Sequence, residues 1–182
     1  AYLFGGREMK DAVAVNGWRG GYAKHAEVDV PADDPAGFIE RFALAPAFAL
    51  VRTLHLVLAS GEDASVVLRT LARTPMVAGV EALIVNPPAS AARHDVAIDA
   101  GWLEPFARLQ RVNFMKQGAT CGPPLERLSR IDMGPSNEEL IALLDGEGRF
   151  DKLEQLNLTA DALTQELPVL VASIIRVRCA RN

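Results

Sequence analysis

The chain has 182 residues, 49% of them hydrophobic and 23% charged, with a formal net charge of −4. That length suits one compact unit or one short repeat array, and the composition is that of a packed protein rather than a disordered one. The longest purely apolar run, residues 42–51, is held between Arg41 and Arg52 and falls well short of the roughly 20 residues a membrane span needs, while 19 basic against 23 acidic residues announce no nucleic-acid partner.

In chain order, residues 1–24 form a lead-in segment carrying Arg7, Glu8, Lys10, Asp11 and Arg19 without the continuous apolar stretch of a secretory leader. Opening on Ala rather than Met is expected of a processed or trimmed piece. A pattern of the form apolar-x-x-apolar-x-apolar then recurs. It appears weakly at residues 25–30 and strongly at 51–56, 80–85, 109–114, 128–133, 153–158 and 174–179. Taking the middle apolar residues as Val28, Leu54, Leu83, Val112, Ile131, Leu156 and Val177, the intervals are 26, 29, 29, 19, 25 and 21. All lie in or within one residue of the roughly 20–29 band of leucine-rich repeats, which makes residues 25–182 an array of about seven strand units.

The alternation at the end of each copy has the period of a strand, which sends two apolar side chains to one face and the residue between them to the other. The apolar residue three places earlier belongs to the corner where the chain enters the strand. Between strands the spacing turns helical. Pro35, Phe38, Ile39 and Phe42 follow Asp34 as N-cap, with a proline suited to the first turn. Val66, Val67, Leu68 and Leu71 mark a second helix, residues 137–144 a third, and residues 159–167 a fourth that Pro168 stops. Residues 87–101 read as a loop insertion ahead of a short helix near Trp102, and 116–126 as an irregular crossover. Trp18 and Trp102 are expected to pack over the sheet edge or core.

Cys121 and Cys179 lie far apart without a CxxC spacing or a histidine pair, so no zinc cage, metal centre or disulfide framework is indicated. Gly5-Gly6 and Gly20-Gly21 lack the strand-to-helix setting of a phosphate loop.

The segments from Trp18 to Tyr22, Leu44 to Leu56 ("LAPAF…VRTLHL") and Leu68 to Val85 ("LRTLARTPMVAGVEALIV") resemble bacterial leucine-rich-repeat proteins of the ribonuclease-inhibitor-like type, in particular the repeat region of repeat-companion-domain proteins. Here Val, Ile, Met or Phe replaces Leu at several core sites. The resemblance implies an α/β fold: a short leucine-rich-repeat solenoid with parallel strands on a concave face and helices or irregular crossovers outside. It also implies a cytoplasmic binding scaffold with no cofactor and no catalytic residues, a protein partner or larger assembly, no membrane and no small-molecule substrate.

Outward positions of the strands would line up in two columns. One holds Asp29, His55, Ile84, Asn113, Asp132, Asn157 and Arg178; the other holds Glu27, Thr53, Ala82, Arg111, Arg130, Gln155 and Arg176. Their polarity matters, because a parallel strand buried on both faces would be apolar there. The expected partner-binding residues are His55, Arg111, Asn113, Arg130, Asp132, Gln155, Asn157, Arg176 and Arg178, on a surface whose shape and charge do the recognising. The last strand, residues 174–179, leaves a parallel edge that is expected to meet more of the same polypeptide or a partner subunit. Two rival readings are a structural segment of a larger complex with no free ligand and a hydrolase using Cys121 or His94.

Overall fold

The computed structural model describes residues 7–59, 63–86, 99–114, 128–133, 152 and 154–158. It begins with a helix α1 (Arg7–Ala12), a strand β1 (Val13–Val15) and a small hairpin of β2 (Trp18–Arg19) and β3 (Tyr22–Ala23). The hairpin closes through Gly20 (φ 58°) and Gly21 (φ 86°), both in the left-handed region, as a two-residue turn that matches strand twist demands. Then come β4 (His25–Val30), α2 (Pro35–Leu44), β5 (Thr53–Leu58), α3 (Asp63–Leu71), β6 (Ala82–Asn86), β7 (Arg111–Phe114), β8 (Arg130–Met133) and β9 (Gln155–Leu158). The expected third and fourth helices, the 87–101 insertion up to residue 98, the 116–126 crossover and the strand at 174–179 lie outside the described residues.

These elements form a mixed α/β fold around one mostly parallel sheet of order β1-β4-β5-β6-β7-β8-β9. Strands β4 to β9 run parallel to their neighbours, in sequence order, and β1 adds an antiparallel strand at the outer side of β4. The lead-in therefore extends the sheet, and Met9 and Val13 join its core.

Strands β4 to β7 are buried on alternate residues. In β5, Leu54, Leu56 and Leu58 are buried, while Thr53, His55 and Val57 are partly exposed. The buried side faces Phe38, Ile39 and Phe42 of α2 and Val67, Leu68 and Leu71 of α3, all in one hydrophobic cluster. The corner residues behave as the spacing predicts: Val51, Val80, Leu109 and Leu128 stand two places ahead of their strands and are 0%, 0%, 3% and 0% exposed. Beside them one backbone arrangement recurs at five junctions. The carbonyl of Lys24, Arg52, Glu81, Gln110 or Ser129 accepts two successive N–H groups from the next strand entrance, such as Arg52 and Thr53 at 3.0 and 3.2 Å.

The register corrects one expectation. Ala26, not Val28, lies opposite Leu54, and the aligned residues are Ala26, Leu54, Leu83, Val112, Ile131 and Leu156. The reason is that residues 26, 28 and 30 are all apolar, and a slip of two residues keeps every side chain on its face. Tertiary hydrogen bonds to the Lys24 carbonyl select the alignment.

Asp34 caps α2 as its position predicts: Oδ1 accepts from the Gly37 N–H at 3.0 Å and Oδ2 from Arg41 at 3.1 Å, with Pro35 in the first turn. The ion pair is about half exposed on both sides and adds little, so the cap dominates. Asp34→Ala is expected to cost about 1 kcal/mol and lower Tm by about 2–4 °C in a thermal melt.

Trp102 packs partly buried against the core, with the Arg69 guanidinium 5.6 Å from its ring centroid. Trp18 differs from expectation: it is 49% exposed, because the glycine hairpin carries it away from the core.

Candidate functional site

The polar side of the sheet collects most of the expected recognition residues. Arg111, Arg130 and Gln155 occupy one row across β7, β8 and β9; Asn113, Asp132 and Asn157 occupy the next. His55 lies on β5, in line with Ile84 and Asn113. Arg176 and Arg178 lie outside the described residues, as do His94 and Cys121 of the hydrolase reading.

Two members of the expected columns change place with the register. Glu27 sits opposite His55 rather than Thr53, and Asp29 sits opposite Val57. The Thr53 row instead begins at His25. This correction creates a contact the columns did not foresee. Glu27 Oε2 is 3.1 Å from His55 Nδ1, and the other ring nitrogen, Nε2, is 2.6 Å from the amide nitrogen of Asn86 on β6. The geometry sets the tautomer: Nδ1–H donates to the carboxylate, and Nε2 accepts from the Asn86 amide. Both ring nitrogens are thereby occupied. The arrangement fixes an imidazole in the middle of the sheet face, and it would act as a base only after Asn86 moved aside.

Two further atoms stand out. Asn86 Oδ1 and Asn113 Oδ1 are buried and have no hydrogen-bond partner among the described residues. Their side chains come from adjacent strands, since Ile84, two residues before Asn86, pairs with Asn113. Sealing an unpaired amide oxygen costs about 1–3 kcal/mol. Asn113→Leu is therefore expected to leave stability unchanged or raise it by about 1 kcal/mol, read as the denaturation midpoint; a loss of more than that would mean the amide is satisfied in the folded protein.

Arg111 and Arg130 are direct neighbours on β7 and β8, and strands spaced by about 4.8 Å hold their like charges side by side. This gives the face a cationic sector beside the amides. Sequence spacing marked Asn113 and the arginines. It missed Asn86, because that residue follows the last apolar position of its motif and becomes a face residue only when β6 extends one place further than the pattern.

No cluster of three or more His, Cys, Asp or Glu residues able to hold a metal ion occurs among the described residues, and no described helix is long and apolar enough to cross a membrane. No family model, no curated protein and no solved structure matches the chain.

Proposed function

We propose that the chain is a short leucine-rich-repeat solenoid, similar to the ribonuclease-inhibitor-like repeat proteins, whose concave sheet face binds a protein partner without catalysis. Sequential parallel strands and a recurring corner hydrogen-bond pair support the architecture. So does the one-sided burial, because parallel sheets in doubly wound folds are covered on both faces. The partner is a protein or a subunit of a larger assembly, and a sensing or regulatory part of a multi-subunit bacterial system is the context that the resemblance suggests.

The observation that carries the binding reading is the pair of amide oxygens on Asn86 and Asn113 that are buried without a hydrogen-bond partner among the described residues. At Asn113 a face with no recognition task gains nothing by holding the oxygen, since leucine there would remove the cost, whereas Asn86 also serves to hold His55. Both side chains are only partly buried, so a change of side-chain torsion presents each oxygen to an arriving N–H donor. Arg111, in the neighbouring row, would favour a partner with carbonyl-rich segments.

The test is to replace Arg111, Asn113, Arg130 and Asn157 together by Ala and compare affinity capture with the parent chain at matched circular dichroism. A specific partner is expected to be retained by the parent and lost, by about a hundredfold or more in affinity, by the variant. Identical capture by both folded proteins would remove the face from the argument.

A further inference from the structure

A second feature lies apart from the sheet face, at the entrances of the strands. A cleft of about 320 Å³ opens between the glycine hairpin and the corners that precede β5, β6 and β7. Four cations line it: Arg19 from the hairpin, Lys24 ahead of β4, Arg52 ahead of β5 and Arg108 ahead of β7. Among the described residues no acidic side chain lines it. Only Arg52 has a counterion, Glu81 at 2.6 Å; Arg19, Lys24 and Arg108 form no ion pair among the described residues. Among the described residues, three positive charges without an ion-pair partner therefore converge in a chain whose net charge is −4.

The shape of the cleft follows from the fold. Leu50, Gly79 and Arg108 each stand four residues ahead of Leu54, Leu83 and Val112, which are neighbours across the sheet. They form a row along the bottom edge, and the middle member has no side chain. A Cβ built on Gly79 would meet only the Val51 carbonyl oxygen, at 3.8 Å, so glycine here leaves room that close packing does not require. Beside that gap, Tyr22 is 40% and Leu50 58% exposed, an aromatic ring and an aliphatic side chain next to the cations. The walls are held by backbone bonds: Lys24 N–H donates to the Gly17 carbonyl at 2.9 Å, and the Lys24 carbonyl accepts from Arg52 and Thr53.

We infer that this cleft binds a compact organic phosphate of about mononucleotide size, with its phosphoryl group among Arg19, Lys24 and Arg108 and its organic portion over Gly79 against Tyr22 and Leu50. The volume lies at the lower end of the roughly 300–1,000 Å³ typical of small-molecule sites. Guanidinium groups suit phosphate, whose oxygens accept their paired N–H donors. The net charge argues for a compact ligand. A long polyanion or an acidic protein surface would also meet the acidic remainder of the chain, whereas a small dianion feels mainly the charges within a screening length of about 8 Å.

Calorimetric titration of the 182-residue chain with AMP at low salt tests this, with adenosine, inorganic phosphate and an oligoglutamate peptide as comparators. Saturable AMP binding is expected, with each comparator weaker by about tenfold or more. Gly79→Leu, which fills the gap, and the double substitution Arg19→Ala with Arg108→Ala are each expected to weaken AMP by about tenfold or more at unchanged circular dichroism. Tyr22→Leu should weaken AMP but leave inorganic phosphate unaffected. Should either of the first two variants misfold, the other with Tyr22→Leu still decides. Absence of saturable AMP binding, adenosine, phosphate or peptide binding as tightly as AMP, or folded variants with the parent affinity would each overturn the assignment.

Discussion

Phe48→Ala is expected to destabilise the fold by about 3–5 kcal/mol, the range for emptying a large buried aromatic site. Phe48 is 0% exposed and sits in the 3-10 turn Pro46–Phe48 between α2 and β5. Its ring meets that of Phe42 on α2 with centroids 4.5 Å apart and planes inclined at 30°. Its carbonyl accepts the N–H of Val51, the buried corner residue that leads into β5. Loss of the ring would leave a void touching helix, turn and strand entrance at once, and the backbone bond would resist the collapse that could fill it. Leu50, two residues on and 58% exposed, supplies the control: Leu50→Ala should change stability by no more than about 0.5 kcal/mol. Urea denaturation of both variants measures the contrast. A Phe48→Ala loss below about 1 kcal/mol would mean the site collapses freely and is not part of a close-packed core.

The second large effect concerns the corner column. Val80 is 0% exposed, directly after the 3-10 turn Pro75–Gly79, and its N–H donates to the Val77 carbonyl at 3.2 Å. Val80→Asp places a carboxyl group in that apolar corner and is expected to cost at least about 3–5 kcal/mol near neutral pH. The pH dependence has a definite sign. Desolvation raises the carboxyl pKa in the folded state above its unfolded value of about 3.9, so the native state holds the proton more tightly. Stability then falls as pH rises from about 4 through the raised folded pKa, and the deficit should be smaller at about pH 5 than at about pH 7.5. Glu81→Ala, at the next residue, removes only a partly exposed ion pair with Arg52 and should cost less than about 1 kcal/mol. Equal effects at the two positions would mean the corner is open to water.

Much of the fold is local in origin. The Asp34 cap, the proline beside it and the helical spacing of Phe38, Ile39 and Phe42 are complete within one short segment, and α2 forms where they indicate. Strands β5 to β9 likewise follow from alternation, and the corner residues Val51, Val80, Leu109 and Leu128 are buried ahead of β5 to β8. The elements of the lead-in were not legible. α1 has six residues, and the strands β1, β2 and β3 have three, two and two, too few for any period to rise above composition. They exist because β1 finds the free side of β4 and because Gly20 and Gly21 permit a tight hairpin.

For the candidate sites the division runs along the same line. Asn113, Arg111 and Arg130 could be placed on the outward side of their strands from parity alone, since successive side chains alternate. Parity says nothing about which residues face each other across strands, because a shift by two preserves it. The Glu27–His55–Asn86 contact is therefore a product of register. The cleft depends still more on three dimensions: Arg19, Lys24, Arg52 and Arg108 span ninety residues of chain and share no pattern.

The order of apolar and polar residues, by itself, determined where strands β4 to β9 and helices α2 and α3 lie and which side of β4 to β7 meets the core, because burial acts on each side chain through its own immediate neighbours in the chain. Pairing across the sheet, the antiparallel strand at its edge and the gathering of cations at one end were decided only by the folded backbone. Those features depend on hydrogen bonds such as that from Thr53 to Lys24, made between segments whose separation no local pattern encodes.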